Sequence, residues 1–170
     1  MANTYTLIAS STVGSGGAAN IEFTSIPSTY TDLVVKLSGR TTAGSFLNPR
    51  FQFNGDTGSN YKWRGLYTSG SGNGSNSSTS DTAILIGNIP GSSETANTFG
   101  NTEIYIPNYA GSSQKSTSAD IASENNATQS YSSLFAGLWT GTAAITSIKF
   151  LPDTSTFVQY TTAYLYGIKN

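Results

Sequence analysis

The stretch FNGDTGSNYKWRGLY, Phe53 to Tyr67, concentrates side chains that could do chemistry. Asp56, Asn54 and Asn60, with backbone carbonyls, are the oxygen donors a calcium loop would use. Such a loop repeats Asp and Asn at alternate positions and closes with a bidentate Glu. Here Asp56 is the sole carboxylate. Asn54-Gly55 and Asp56-x-Gly58 tolerate positive φ, so the stretch reads better as a glycine-rich hairpin between RFQFN and YKWRGLY. In the strand that follows, Tyr61, Trp63 and Tyr67 share one face, and Lys62, Arg64 and Leu66 take the other. Aromatics beside cations can stack sugar rings or bases. A Trp on a strand of a small sandwich is ordinarily core, so the aromatic face is expected to turn inward. Arg50, Asp56, Lys62 and Arg64 then remain as the candidate partner-docking residues.

Other chemistries are poorly supplied. The chain has no His and no Cys. A Ser-His-Asp triad, thiol catalysis and a thiolate metal site are therefore ruled out. Asp32, Asp56, Asp81, Asp120 and Asp153 fall at turns or strand ends, and Glu22, Glu103 and Glu124 on polar faces. A glycosidase needs two facing carboxyls about 5–9.5 Å apart, and the spacing marks no such pair. GSGG at Gly14–Gly17 lacks the Lys-Ser/Thr of a phosphate loop and reads as a turn. No catalytic, cofactor or metal residue is expected.

The elements that must position these residues are strands. NIEFTSI, DLVVKLSGR and RFQFN alternate apolar and polar residues with period 2, the mark of strands with one wet face. In them Ile21, Phe23, Leu33, Val35, Leu37, Phe51 and Phe53 point inward. Lys36, Ser38, Arg40, Arg50 and Gln52 point outward. About eleven such runs follow at close spacing, which predicts an all-β, antiparallel two-sheet β-sandwich of jelly-roll type. Helix signals are confined to one turn near Ser93–Asn97. The Gly/Ser/Asn-rich segment 68–81 reads as a long exposed loop, and 89–101 as a second. The 170 residues fit one domain.

Charge sets further bounds. Only 10% of residues are charged and the net charge is -1, so a nucleic-acid partner finds no basic stripe. No apolar run approaches the roughly 20 residues that span a bilayer, and MANTYTLIASS lacks the features of a signal peptide. The sequons at Asn73, Asn76 and Asn126 are read as chance in a Ser/Asn-rich chain.

SGRTTAG…PRFQFNGDTGSNYKWRGLY resembles a pattern in virion structural proteins of tailed bacteriophages. There a segment F-N-x-D-x-x-x-N-Y follows a strand ending in R-T/S. Phe53, Asn54, Asp56, Asn60 and Tyr61 match it. Tyr5–Ser10 and Tyr164–Lys169 are similar to the opening and closing strands of such proteins. The resemblance implies a non-enzymatic β-sandwich exposed on the virion. Its leading form is a capsid decoration, or cement, protein that binds the major capsid protein and copies of itself as a trimer or other symmetric oligomer. The other form is a tail-fibre or baseplate module that binds host glycans, with Trp63, Trp139 and the tyrosines as stacking candidates.

Overall fold

A computed structural model describes residues 5–69 and 72–169. Thr4 of the first expected strand, Gly70 and Ser71 of the expected loop, and Asn170 lie outside the described residues. The strands are β1 (Tyr5–Thr12), β2 (Ile21–Phe23), β3 (Asp32–Gly39), β4 (Arg50–Phe53), β5 (Tyr61–Ser69), β6 (Gly72–Asp81), β7 (Ile84–Leu85), β8 (Gly100–Ile106), β9 (Lys115–Glu124), β10 (Ser130–Trp139), β11 (Ile148–Leu151) and β12 (Thr162–Ile168). All pairings are antiparallel. They form an eight-stranded sheet, β1-β12-β3-β8-β9-β10-β5-β6, and a four-stranded sheet, β2-β11-β4-β7. The protein is an all-β, two-sheet sandwich. Among the described residues, no helix is long and apolar enough to cross a membrane.

The core sits between the sheets. Leu33, Val35, Ile104, Ile121 and Leu165 on the large sheet join Phe51, Phe53, Ile148 and Phe150 on the small one in one apolar cluster. Period-2 alternation puts each of them inward, and removing such side chains from water is the main stabilising term.

Four local expectations need correction. Segment 72–81 is not a loop but a strand, β6, paired with β5 from Ser69↔Gly72 to Tyr61↔Asp81. Its ladder is held by backbone bonds, and the Tyr67 ring covers Gly74, where an added Cβ would lie 2.5 Å from it. The Asn54–Asn60 turn does not close a hairpin. β4 pairs with β11 and β7 in the small sheet, while β5 pairs with β10 and β6 in the large one. Arg40 is not on a wet face but 7% exposed, because β3 ends at Gly39 and its alternation ends with it. Gln52 is also buried, donating to the Thr82 carbonyl at 2.9 Å. The turn near Ser93–Asn97 is not helical. Glu94 and Thr98 amides close separate tight turns onto Gly91 and Thr95, and the Arg40 guanidinium takes the carbonyls of Glu94, Thr95 and Thr98.

The sheet-crossing turn is rigid. Asn54 and Gly55 take φ of 53° and 66°, and the Asp56 amide donates to the Phe53 carbonyl at 2.9 Å. Two left-handed residues in succession match a type I′ turn, which Asn-Gly favours. The buried Tyr61 hydroxyl then locks the crossing. It accepts from the Phe53 amide at 3.0 Å and donates to the Asp56 carbonyl at 3.0 Å. Burial pushes that hydroxyl up to about 12, so it stays a donor at every physiological pH. Tyr61→Phe is expected to cost about 1–3 kcal/mol, since the Phe53 amide loses its partner inside the core. Urea denaturation would read this as a lower midpoint at unchanged slope.

Candidate functional site

The four docking candidates separate into two kinds. Arg50 and Asp56 are engaged within the protein. Arg50, on β4, bridges to Asp81 at 2.9 Å. Asp56 accepts from the Trp139 indole at 2.7 Å, the Gly58 amide at 2.9 Å and the Asn60 side chain at 3.0 and 3.1 Å. The Trp139 indole above all, against burial, and then Gly58 and Asn60, hold its carboxyl below the usual range. Asn54 is engaged too. Its Oδ1 accepts from the Thr146 and Ser147 amides, and its Nδ2 donates to the Ala144 carbonyl. The loop's side-chain oxygens therefore organise the turn. Among the described residues no three acidic side chains gather as a metal site.

Lys62 and Arg64 are different. Both are exposed on the outer face of β5, and among the described residues no side-chain hydrogen bond or ion pair holds either. Leu66, two residues on, is 64% exposed. Register pairs it with Leu134 of β10, itself 57% exposed. Ala136 faces Arg64 and Leu138 faces Lys62. The outer face of β10 thus carries an apolar stripe, Leu134-Ala136-Leu138, beside two free cations. A shallow concavity of about 820 Å³ lies over it, lined by Arg64, Leu66, Ser77, Ser118, Leu134 and Ala136. On the stripe's other flank Leu134 faces Asp120 of β9. Asp120 in turn faces Glu103 of β8, which is ion-paired to Lys36. The face therefore runs from cationic through apolar to acidic across four strands, a pattern suited to contact rather than to bond-making chemistry.

Alternation alone exposes Lys62, Arg64 and Leu66. The partner leucine was missed, because Leu134 meets Leu66 only through a β10–β5 pairing distant in sequence. The inward aromatic face is confirmed for Tyr61 and for Trp63, at 7% exposure, whereas Tyr67 sits at the rim. Trp139 is 4% exposed.

Glu103 and Asp120 are opposed carboxylates that spacing did not mark. They lie on an open sheet surface, with Lys36 on the former. Lys115 is buried, and burial pulls its ammonium below the usual lysine range. It donates to the carbonyls of Gly111, Ser113 and Thr142, which tie the end of β9 to its neighbouring loops.

No family model matches the chain, and no curated protein matches it either.

Proposed function

We propose that this chain is a non-enzymatic structural protein of a tailed-phage virion, a capsid decoration protein that docks on the major capsid protein and on copies of itself. The observation that carries this is the outer face of β5 and β10. Leu66 and Leu134 point into solvent there beside the unpartnered Lys62 and Arg64. An apolar centre with charged flanks is the anatomy of a protein–protein contact.

Strand order supports the reading. Setting aside the β5–β6 and β9–β10 hairpins, the sheets run β1-β12-β3-β8 and β2-β11-β4-β7. We read that interleaving as jelly-roll connectivity, with the two hairpins added to the large sheet beyond β8. Jelly rolls recur in viral capsid and lectin domains, although fold alone does not assign function. The glycan-binding alternative loses two of its proposed stacking residues, Trp63 and Trp139, which are core.

An electron-microscopy map of intact particles tests the reading. Density for this protein is expected on the head, and its confinement to tails in fractionated virions would sink the proposal. A matched variant sharpens it. Lys62→Glu with Arg64→Glu is expected to cut occupancy on empty heads by at least about tenfold, by reversing charge at the contact. The same pair should move stability by only about 0.5 kcal/mol each, as surface substitutions do.

A further inference from the structure

Ser133 is a polar residue on an apolar face. In β10 it lies in phase with Phe135 and Trp139, and it is 2% exposed. Its hydroxyl has no hydrogen-bond partner. Buried hydroxyls are nearly always bonded, so an orphan calls for an explanation. Ser133 lines a pocket of about 230 Å³ with Asn48, Tyr67, Asn76, Asn88 and Phe135. That is several times the ~30 Å³ one water occupies in the liquid.

The pocket is built. It lies against the inner face of the large sheet, beside Leu85 at the β7 edge of the small one. Ser133 and Tyr67 are register partners on its floor, with Asn76 on β6 beside them. The opposite wall holds Asn48 and Asn88. They flank the Leu47↔Ile89 bridge, whose two backbone bonds of 3.0 and 2.8 Å fix their separation. Gly87 keeps the Ser133 end open, for a Cβ there would come 2.8 Å from the Ser133 hydroxyl.

The chemistry of the lining selects the ligand. The side-chain amides of Asn48 and Asn88 bond to no other described residue. Asn76 uses its Oδ1 on the Ser77 amide, which leaves its Nδ2 donors. The pocket therefore offers paired donors and acceptors and an uncommitted hydroxyl, beside the rings of Tyr67 and Phe135 and the side chain of Leu85. No acidic or basic side chain lines it. A phosphate or other ion finds no countercharge there. A ring carrying several neutral hydroxyls satisfies both the amides and the orphan serine, and its C–H edge can rest on Tyr67.

We propose that this pocket binds one neutral pyranose unit of a saccharide, with Asn48, Asn88 and Ser133 as its hydrogen-bonding residues. The site lies on the inner face, apart from Lys62 and Arg64, and does not rest on the docking reading.

The test is saturation-transfer NMR on the intact protein. The probes are glucose, galactose, mannose, N-acetylglucosamine and N-acetylgalactosamine, each at about 10 mM, against wild type, Ser133→Ala and Asn48→Ala. At least one sugar should give transfer to wild type and lose it by about fivefold or more in both variants. A site that hydrogen-bonds a hydroxyl discriminates by leaving buried groups unpaired. Thermal melts accompany the binding data. Ser133→Ala should melt at or above the wild-type temperature, because it removes an unsatisfied hydroxyl. No transfer from any of the five sugars to wild type overturns the proposal. So does transfer that persists undiminished in both folded variants.

Discussion

Replacing Arg40 with alanine is expected to lower stability by about 3–5 kcal/mol, taking charged-donor hydrogen bonds at ~1.5–3 kcal/mol each and discounting for non-additivity. Nη1 donates to the carbonyls of Thr95 and Thr98 at 2.8 and 3.0 Å and to the Thr98 hydroxyl at 2.9 Å. Nη2 donates to the Glu94 carbonyl at 2.8 Å. Among the described residues no carboxylate bonds to this guanidinium, so carbonyl dipoles and the Thr98 hydroxyl solvate the charge. Its backbone is bound as well, with the carbonyl accepting from Val158 and from the Thr161 hydroxyl at 3.0 and 3.1 Å. The side chain thus fastens the 94–98 loop to the end of β3, and the backbone of the same residue ties in the segment leading into β12. Truncation strips the guanidinium from the carbonyls of Glu94 and Thr98, while the Thr95 carbonyl keeps the Thr98 amide and hydroxyl. At about 2–4 °C per kcal/mol for a chain of this size, the melting temperature should fall by roughly 6–20 °C. Limited proteolysis should open new cuts between residues 91 and 99. Arg40→Lys should rescue little, since a single ammonium cannot reproduce a planar fork. A melting temperature within 2 °C of wild type for Arg40→Ala would refute this account.

Arg40 also shows where sequence reading stops. Alternation in DLVVKLSGR placed Leu33, Val35 and Leu37 inward correctly, and its extension by one residue placed Arg40 outward. Nothing local marks the strand's end at Gly39, because the loop that claims Arg40 lies more than fifty residues away. β6 failed for the opposite reason. An edge strand wet on both faces carries no apolar alternation, so GNGSNSSTSD reads as a loop even though it pairs along its length. The turn at Asn54-Gly55 was legible, because positive φ is a local demand. Which sheet the chain enters next was not, since β4 and β5 pair with strands far away in sequence. The candidate sites divide likewise. Lys62 and Arg64 follow from period 2 alone, whereas the Leu66–Leu134 pair and the Asn48–Asn88 wall need the fold. Ser133 was a legible anomaly, a polar residue in phase with Phe135 and Trp139.

The second large effect concerns acid. Each buried tryptophan ends on a carboxylate: Trp139 on Asp56 at 2.7 Å and Trp63 on Asp81 at 2.9 Å. Both carboxyls are held below the ordinary aspartate range. For Asp81 burial is the largest influence and opposes ionisation. The Trp63 indole, the Thr82 amide, Arg50 and the Ala83 amide together outweigh it. Such groups bind protons more weakly folded than unfolded. Their stabilisation is complete above the unfolded value of about 3.9 and is lost as pH falls through the depressed folded values. Melting temperature should therefore hold from neutral pH to about 5 and drop steeply below about 4. Asp56→Asn with Asp81→Asn removes the titrating groups but keeps one oxygen acceptor at each site. That variant is expected to start about 2–4 kcal/mol less stable at pH 7, because charge-assisted bonds become neutral ones. Its melting curve should then flatten below pH 4, approaching that of wild type. Equal acid slopes in the two proteins would mean that other groups carry the acid response. The indole–aspartate pairs would then be geometric fasteners without a pH role. If the slopes differ as expected, the sheet-crossing turn at Asp56 and the β6 edge at Asp81 release together in acid. The Tyr61 end of β5 would then loosen, along with the Lys62–Arg64 face beside it.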